Sequence, residues 1–272
     1  MLPTLCFSQH ETATQTLDVN RLTEAATLFR QQGCLVLENS FAPSFVQTLH
    51  DSLLGQYQPY LHEVDHQHIL NVGDKRYKLT VELCHPFNDP QLYAHPLVLP
   101  IVKKLLSETC ILGGCTAVVA LGGAEKQHIH RDHPWLFENV MDTLIPSYGI
   151  KMIIPLVDLN EEHGTTRMWP GSHVVFDEKA LKMAPVDPQL QVGSCILMDY
   201  RMMHGGTANR SERVRPLLYN NYYRPWFRDY KNFQQQPALQ ISRQAYTAIP
   251  AAHRTLFSWL EENSGGGNLY EI

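Results

Sequence analysis

The hexapeptide Gln127-His128-Ile129-His130-Arg131-Asp132, taken with His204 and Arg215 further along, says most about this 272-residue chain. Two imidazoles and one carboxylate make up the donor set that holds non-haem iron(II) while leaving coordination positions open. Side chains at i and i+2 project from the same face of a β-strand. On a helix the same two residues would diverge by about 200°. A metal shared by His130 and Asp132 therefore predicts that the motif lies on a strand.

The pair alone says little, because 14 His and 12 Asp give roughly 0.6 such pairs by chance. Its surroundings say more. The apolar runs Cys110-Ile111-Leu112 and Ala117 to Leu121 lead into it, and Cys195-Ile196-Leu197-Met198-Asp199 leads towards His204, so both ligand groups follow strand-like segments.

Working outward, Arg21 to Gln32 carries a helical apolar stripe, with Asn20 as a cap and Gly33 as a stop. Cys34-Leu35-Val36-Leu37 reads as a strand. Ala42-Pro43-Ser44 opens a second helix with Phe45, Leu49 and Leu53 on one face. From about 109 to 224 short β-rich runs alternate with Gly, Pro and Asn, including 148–158 and 217–223, a pattern that suits a double-sheet jelly roll. Pro250 to Leu260 reads as a closing helix, followed by a loose Ser264-Gly-Gly-Gly267. Neither a repeat nor an interdomain linker is evident. The expectation is one domain over 1–272: a helical flank at about 18–108, a jelly-roll core at about 109–224 and a helical extension at about 238–262.

Three stretches together resemble the phytanoyl-CoA dioxygenase family of iron(II)- and 2-oxoglutarate-dependent oxygenases. They are His130-x-Asp132, Gly164-Thr-Thr-Arg-Met-Trp-Pro-Gly-Ser-His173, and His204-Gly-Gly-Thr-Ala-Asn209-Arg-Ser211-Glu-Arg-Val-Arg215-Pro216. The resemblance runs more loosely from residue 21 to Trp226-Phe227. It implies a mixed α/β fold dominated by β, with a double-stranded β-helix (jelly roll, cupin-like) core and flanking helices. It assigns Fe(II) to His130, Asp132 and His204, and the distal carboxylate of 2-oxoglutarate to Arg215. A guanidinium suits that role because it binds a carboxylate through two parallel hydrogen bonds. Gln127 and Thr166 match positions that contact 2-oxoglutarate in relatives, although by residue type Gln127 also reads as a sheet-edge polar group and Thr166 as a turn residue. Some relatives carry a hydroxyl two positions after the distal His. Here that position is Gly206, with Thr207 as a candidate substitute.

The implied reaction consumes O2 and 2-oxoglutarate, releases succinate and carbon dioxide, and hydroxylates a C–H bond. Asp132 argues against halogenation, since halogenating relatives carry a small residue there. Desaturation, ring formation and epimerisation stay open. So does a different class, a redox-neutral cupin-like isomerase or a non-catalytic small-molecule binder.

Composition narrows the partners. A formal charge of −5 with only 22 Lys plus Arg gives no general attraction to nucleic acid or anionic membranes, leaving a small-molecule substrate. The lack of an evident basic cluster favours a natural product or amino-acid derivative over an acyl-CoA. Six scattered cysteines without a Cys-x-x-Cys pair read as reduced core residues. With no apolar span and no Ser-Lys-Leu end, the expected location is cytoplasmic; oligomeric state is not readable.

Other groups compete for attention. His62-Glu-Val-Asp65-His66-Gln-His68 offers five potential ligands in seven residues but reads first as a solvated loop. Pro170-Gly-Ser-His173 reads as a turn. His128 has no matching role. Trp135, Phe137, Trp169 and Trp226 are candidates for a pocket lining or for the core. Arg76 and Lys78 read first as a solvated strand edge and second as contacts for an acidic substrate.

Overall fold

The computed structural model describes residues 1–61, 69–262 and 268–270. The His62–His68 cluster and the Ser264–Gly267 stretch lie outside the described residues.

The strands are β1 (Thr4–Cys6), β2 (Cys34–Glu38), β3 (Ile69–Gly73), β4 (Arg76–Thr80), β5 (Ile111–Ala120), β6 (Gly149–Pro155), β7 (Thr166–Met168), β8 (Cys195–Asp199), β9 (His204–Gly206) and β10 (Arg215–Tyr223). Eight form one sheet in the order β1-β2-β8-β6-β10-β5-β4-β3, antiparallel except for β1 against β2. Facing it is a smaller, broken sheet. Its centre is the β7–β9 pair, extended by single bridges between His130 and His204 and between Met168 and Val186.

β10 is buried at every position, because both faces of the large sheet are covered. Alternation sorts its side chains: Leu218 and Tyr222 join the outer core beneath the helices, while Leu217 and Tyr219 join an inner cluster with Val36, Ile153 and Ile196. The outer layer is closed by the helices Val19–Gln32, Pro43–Tyr57 and Leu99–Leu105, through Phe29, Leu49, Leu53 and Ile101. Each such side chain, fully buried, contributes about 1.5–3 kcal/mol.

The first helix begins two residues before the predicted start. Asp18, with its carboxylate accepting from the Asn20 and Arg21 amides at 2.8 Å, is the cap rather than Asn20. The predicted flank at 18–108 is not purely helical, since β2, β3 and β4 belong to the large sheet; β2 pairs with β8 and β4 with β5. The closing segment also differs: Ala251–Phe257 is a 3-10 helix, and Gln240–Ser242 before it is a strand. Phe257 and His253 dock edge-on to Tyr93 while the Trp259 indole donates to the Leu112 carbonyl, and these contacts override the α-helical pattern. All six cysteines are unpaired and four are buried. Among the described residues no helix is long and apolar enough to cross a membrane.

Candidate metal and cosubstrate site

The register of the large sheet builds one wall of a cavity. Arg76 of β4, Ala120 of β5 and Arg215 of β10 stand in one cross-strand row. The small Ala120 leaves the two long cations room to lie over the sheet. The next row carries Lys78, Val118 and Leu217, and further along Asn221 of β10 lies beside Lys151 of β6. Apart from Ala120, these side chains line a cavity of about 120 Å³ closed on its other side by Gln127, His130, Asp132, Thr166 and His204.

The segment carrying His130 and Asp132 is extended but is not the continuous strand predicted. The Gln127 amide donates to the Gly206 carbonyl, and His130 and His204 exchange both backbone bonds at 2.9 Å. Three steps on one side thus span two on the other, a one-residue slip like that of a β-bulge, which re-aims the following side chains. The slip occurs where the partner is short: β9 has three residues, and the Gly205 backbone lies against the His128 carbonyl.

His130, Asp132 and His204 meet there, each offering a ligand atom within 4.8 Å of the others. The Nδ1 of His130 lies 2.9 Å from the His128 carbonyl and that of His204 lies 3.0 Å from the Met202 carbonyl. Each Nδ1–H is thereby directed to a main-chain acceptor and each Nε2 is left for a ligand. Burial lowers the His204 pKa to about 3 against the opposing pull of Asp132, so the imidazole is neutral, the form that binds a metal. Burial pushes the Asp132 carboxyl up, but Lys151, His204 and His130 together outweigh it and hold the group at about 2. Lys151 Nζ lies 2.6 Å from Asp132 Oδ1, while the buried Oδ2 has no hydrogen-bond partner. An orphaned carboxylate oxygen beside two Nε2 atoms fits a divalent metal.

Arg131, between the two ligands, points the opposite way. Its guanidinium donates to the carbonyls of Ser172, Val175 and Arg201 and pairs with Asp177 at 2.8 Å, tying the ligand segment to the loop after β7. The Pro170–His173 stretch is a turn, as expected. There Ser172 Oγ accepts from the Met203 amide next to His204, and buried His173 bonds the Arg30 carbonyl.

Arg215 is 1% exposed, reaches only main-chain carbonyls at 3.3–3.4 Å, and has no partner for Nε. Burial and the neighbouring Arg76 charge depress its pKa to about 10. Among the described residues no carboxylate pairs with either guanidinium. The first reading of Arg76, a solvated edge, is wrong. It is 1% exposed, donates to the Glu125 and Thr207 carbonyls, and faces the cavity. The strand edge beyond it is covered by β3, which the sequence did not reveal.

The same residue accounts for Gly206. A Cβ there would lie 2.6 Å from Arg76 Nη1, so the guanidinium occupies the space a side chain would need. Thr207 is not a substitute. Its hydroxyl is spent on the Thr165 amide and carbonyl, outside the cavity. Gln127 lines the cavity, but its Oε1 accepts from the Gly206 amide, bracing β9. Thr166 is buried opposite Gly206 and lines the cavity together with Tyr219. His128 is exposed and outside the cluster. Of the four candidate aromatics none lines the cavity: Trp169 packs with Ala180 and Met203, and Phe137 and Trp226 are exposed. Tyr200, Tyr219 and Phe233 line it instead.

A jelly roll with a His-x-Asp and distal His cluster opening into a basic cavity defines the non-haem iron, 2-oxo-acid-dependent oxygenases. The family model for phytanoyl-CoA dioxygenase (PhyH) matches residues 29–217, and the chain belongs to that family. It is 25% identical over 252 residues to the dioxygenase trt7 of Aspergillus terreus, covering 87% of this chain and 83% of that one. Among solved structures it is similar to AviO1 from Streptomyces viridochromogenes, with a TM-score of 0.62, 19% identity, and 79% and 98% of the two chains covered. It is also similar to the epimerase SnoN in complex with Fe3+, alpha ketoglutarate and nogalamycin RO, with a TM-score of 0.59, 17% identity, and 76% and 88% covered. The expected fold class holds, and the protein is an iron(II)- and 2-oxoglutarate-dependent enzyme of the dioxygenase type.

Proposed function

We propose that His130, Asp132 and His204 hold iron(II), that Arg215 with Arg76 holds the distal carboxylate of 2-oxoglutarate, and that Gln127 and Thr166 complete the cosubstrate's polar surroundings. The reaction is hydroxylation of a C–H bond in a small organic molecule, a natural product or amino-acid derivative, with release of succinate and carbon dioxide. One observation carries this reading: two buried guanidinium groups, with no carboxylate partner among the described residues, share a cavity with the His-Asp-His cluster. A buried unpaired cation is costly, and a dicarboxylate that reaches the metal with one end offsets that cost with the other.

Bound iron(II) supplies open positions where a 2-oxo acid and oxygen react. The chain supplies the rest. The main-chain acceptors of Met202 and His128 fix the imidazole orientations, Lys151 orients the Asp132 carboxylate, and the buried wall around Tyr219 keeps water away from the reacting groups. The unpaired cysteines suit a cytoplasmic setting and the shared large sheet suits a single domain.

The test is anaerobic titration of the iron(II)-loaded protein with 2-oxoglutarate, following the visible metal-to-ligand charge-transfer band. The band is expected in the wild type, and Arg215→Ala should need at least tenfold more cosubstrate to reach it. Iron bound without a band would move the protein to the redox-neutral class. Product mass then separates hydroxylation, which adds one oxygen atom, from epimerisation, which leaves mass unchanged.

A further inference from the structure

Among the described residues, four side-chain cations, Arg76, Lys78, Lys151 and Arg215, line the cavity against one lining carboxylate, Asp132. Resting on the cofactor reading above, each of these cations can be matched against the anionic groups beside it. Arg76 and Arg215 are accounted for by the cosubstrate, and Lys151 by Asp132. Lys78 is not accounted for.

Lys78 sits one row in from the arginine pair, on the inner face of β4. Its Nζ donates to the Asn232 carbonyl at 2.7 Å and lies 4.0 Å from the centroid of the Phe233 ring. Among the described residues it has no ion pair. Asp229, which acts on Lys78 electrostatically without a direct contact among the described residues, is engaged by the Asn232 amide and side chain at 3.0 and 2.9 Å. Asn232 in turn donates from its side chain to the Asp132 carbonyl, which places the Lys78 ammonium beside the metal ligands and off the row of the arginines. Burial, reinforced by the Lys151 charge, lowers the Lys78 pKa to about 8. An ammonium held this way has hydrogen-bond donors to spare and an aromatic wall beside it, the surroundings of a carboxylate attached to an apolar body.

We propose that the primary substrate is an organic acid whose carboxylate is bound by Lys78, with Phe233 against the adjoining apolar portion. Lys78 then sets which C–H bond faces the metal, because the carboxylate is fixed at one wall and the rest of the molecule must extend across the cavity.

The probe pair is benzoate and benzamide, alike in shape and different in charge, titrated calorimetrically into protein loaded with iron(II) and saturating 2-oxoglutarate under nitrogen. Wild type should bind benzoate at least tenfold more tightly than benzamide. Lys78→Met should abolish that preference and Lys78→Arg should keep it. Equal affinities, no binding of either compound, or an undiminished preference in Lys78→Met would each overturn the proposal. The charge-transfer titration is scored first: no band refutes the cofactor assignment, whereas a normal band without benzoate preference refutes the substrate assignment alone.

Discussion

Adding one methyl group at position 206 should disable an arginine on the facing sheet. In Gly206→Ala the new Cβ would stand 2.6 Å from Arg76 Nη1 and 3.0 Å from its Cζ. Ordinary contact needs about 3.5 Å or more, so the guanidinium must withdraw by about 1 Å. It has little freedom to do so gently, being 1% exposed and tied to the Glu125 and Thr207 carbonyls at 2.9 and 3.2 Å. If Arg76 helps to hold the cosubstrate, its withdrawal removes a charge-assisted hydrogen bond, about 1.5–3 kcal/mol. At 1.4 kcal/mol per tenfold, 2-oxoglutarate should bind roughly 10- to 140-fold more weakly. The assay is the same anaerobic charge-transfer titration, run on Gly206→Ala, Arg76→Ala and the double variant. Because both changes remove one interaction, the double variant should be no weaker than Arg76→Ala alone. Wild-type affinity in Gly206→Ala, or losses that add, would refute the reasoning.

Two further outcomes follow from buried cations. Lys78 has a folded pKa of about 8 against an ordinary 10.5, so between those values the unfolded chain binds the extra proton and stability rises with pH. The penalty is fully present below pH 8. Lys78→Met should therefore stabilise the apoprotein at pH 7 by on the order of 2 kcal/mol, with the advantage over wild type shrinking from pH 8 to 10.5. Paired urea melts measure it, and the pairing cancels the opposite trend of the buried thiols, whose raised pKa values cost stability above pH 9. Arg131→Met leaves every metal ligand in place but frees the segment that aims them. Iron affinity should fall roughly 10- to 100-fold, as for other supports behind metal ligands; competition with a chelator checks it, and unchanged affinity would show that Arg131 only stabilises the fold.

Much of this architecture was legible in the sequence because it depends on period and punctuation. The apolar stripe before Gly33 gave the first helix, the apolar runs at 110–112 and 117–121 marked the strand that spans Ile111–Ala120, and Pro43 gave the start of the second helix. The meeting of His130, Asp132 and His204 in one cluster was legible as well, since metal chemistry restricts residue type and extended backbone restricts spacing. Arg76 was missed for a physical reason. Its own strand alternates like any half-exposed edge, and only the later pairing of β3 outside β4, with Ala120 beside it, turns that edge into an inner wall. A cation in line with Ala120 and Arg215 cannot be seen until the register is known. The large aromatics stayed open between pocket and core: Trp169 packs in a core cluster, Phe137 and Trp226 are exposed, and the tyrosines of β10 and of the turn after β8 have the inward positions.

Arg131 has a consequence for how freely this protein can vary. Three of the four groups it grips, at Ser172, Val175 and Arg201, are main-chain oxygens that every amino acid provides. The side chain of Val175 can drift without loosening the grip, so an alignment column there would look unremarkable. Inserting or deleting a single residue between Trp169 and Asp177 is another matter. It would move the oxygens away from the fork of the guanidinium and tilt His130 and Asp132 with it. At Val175 the loop should tolerate substitution, and throughout it should resist changes in length, the reverse of what its distance in sequence from His130 and Asp132 suggests.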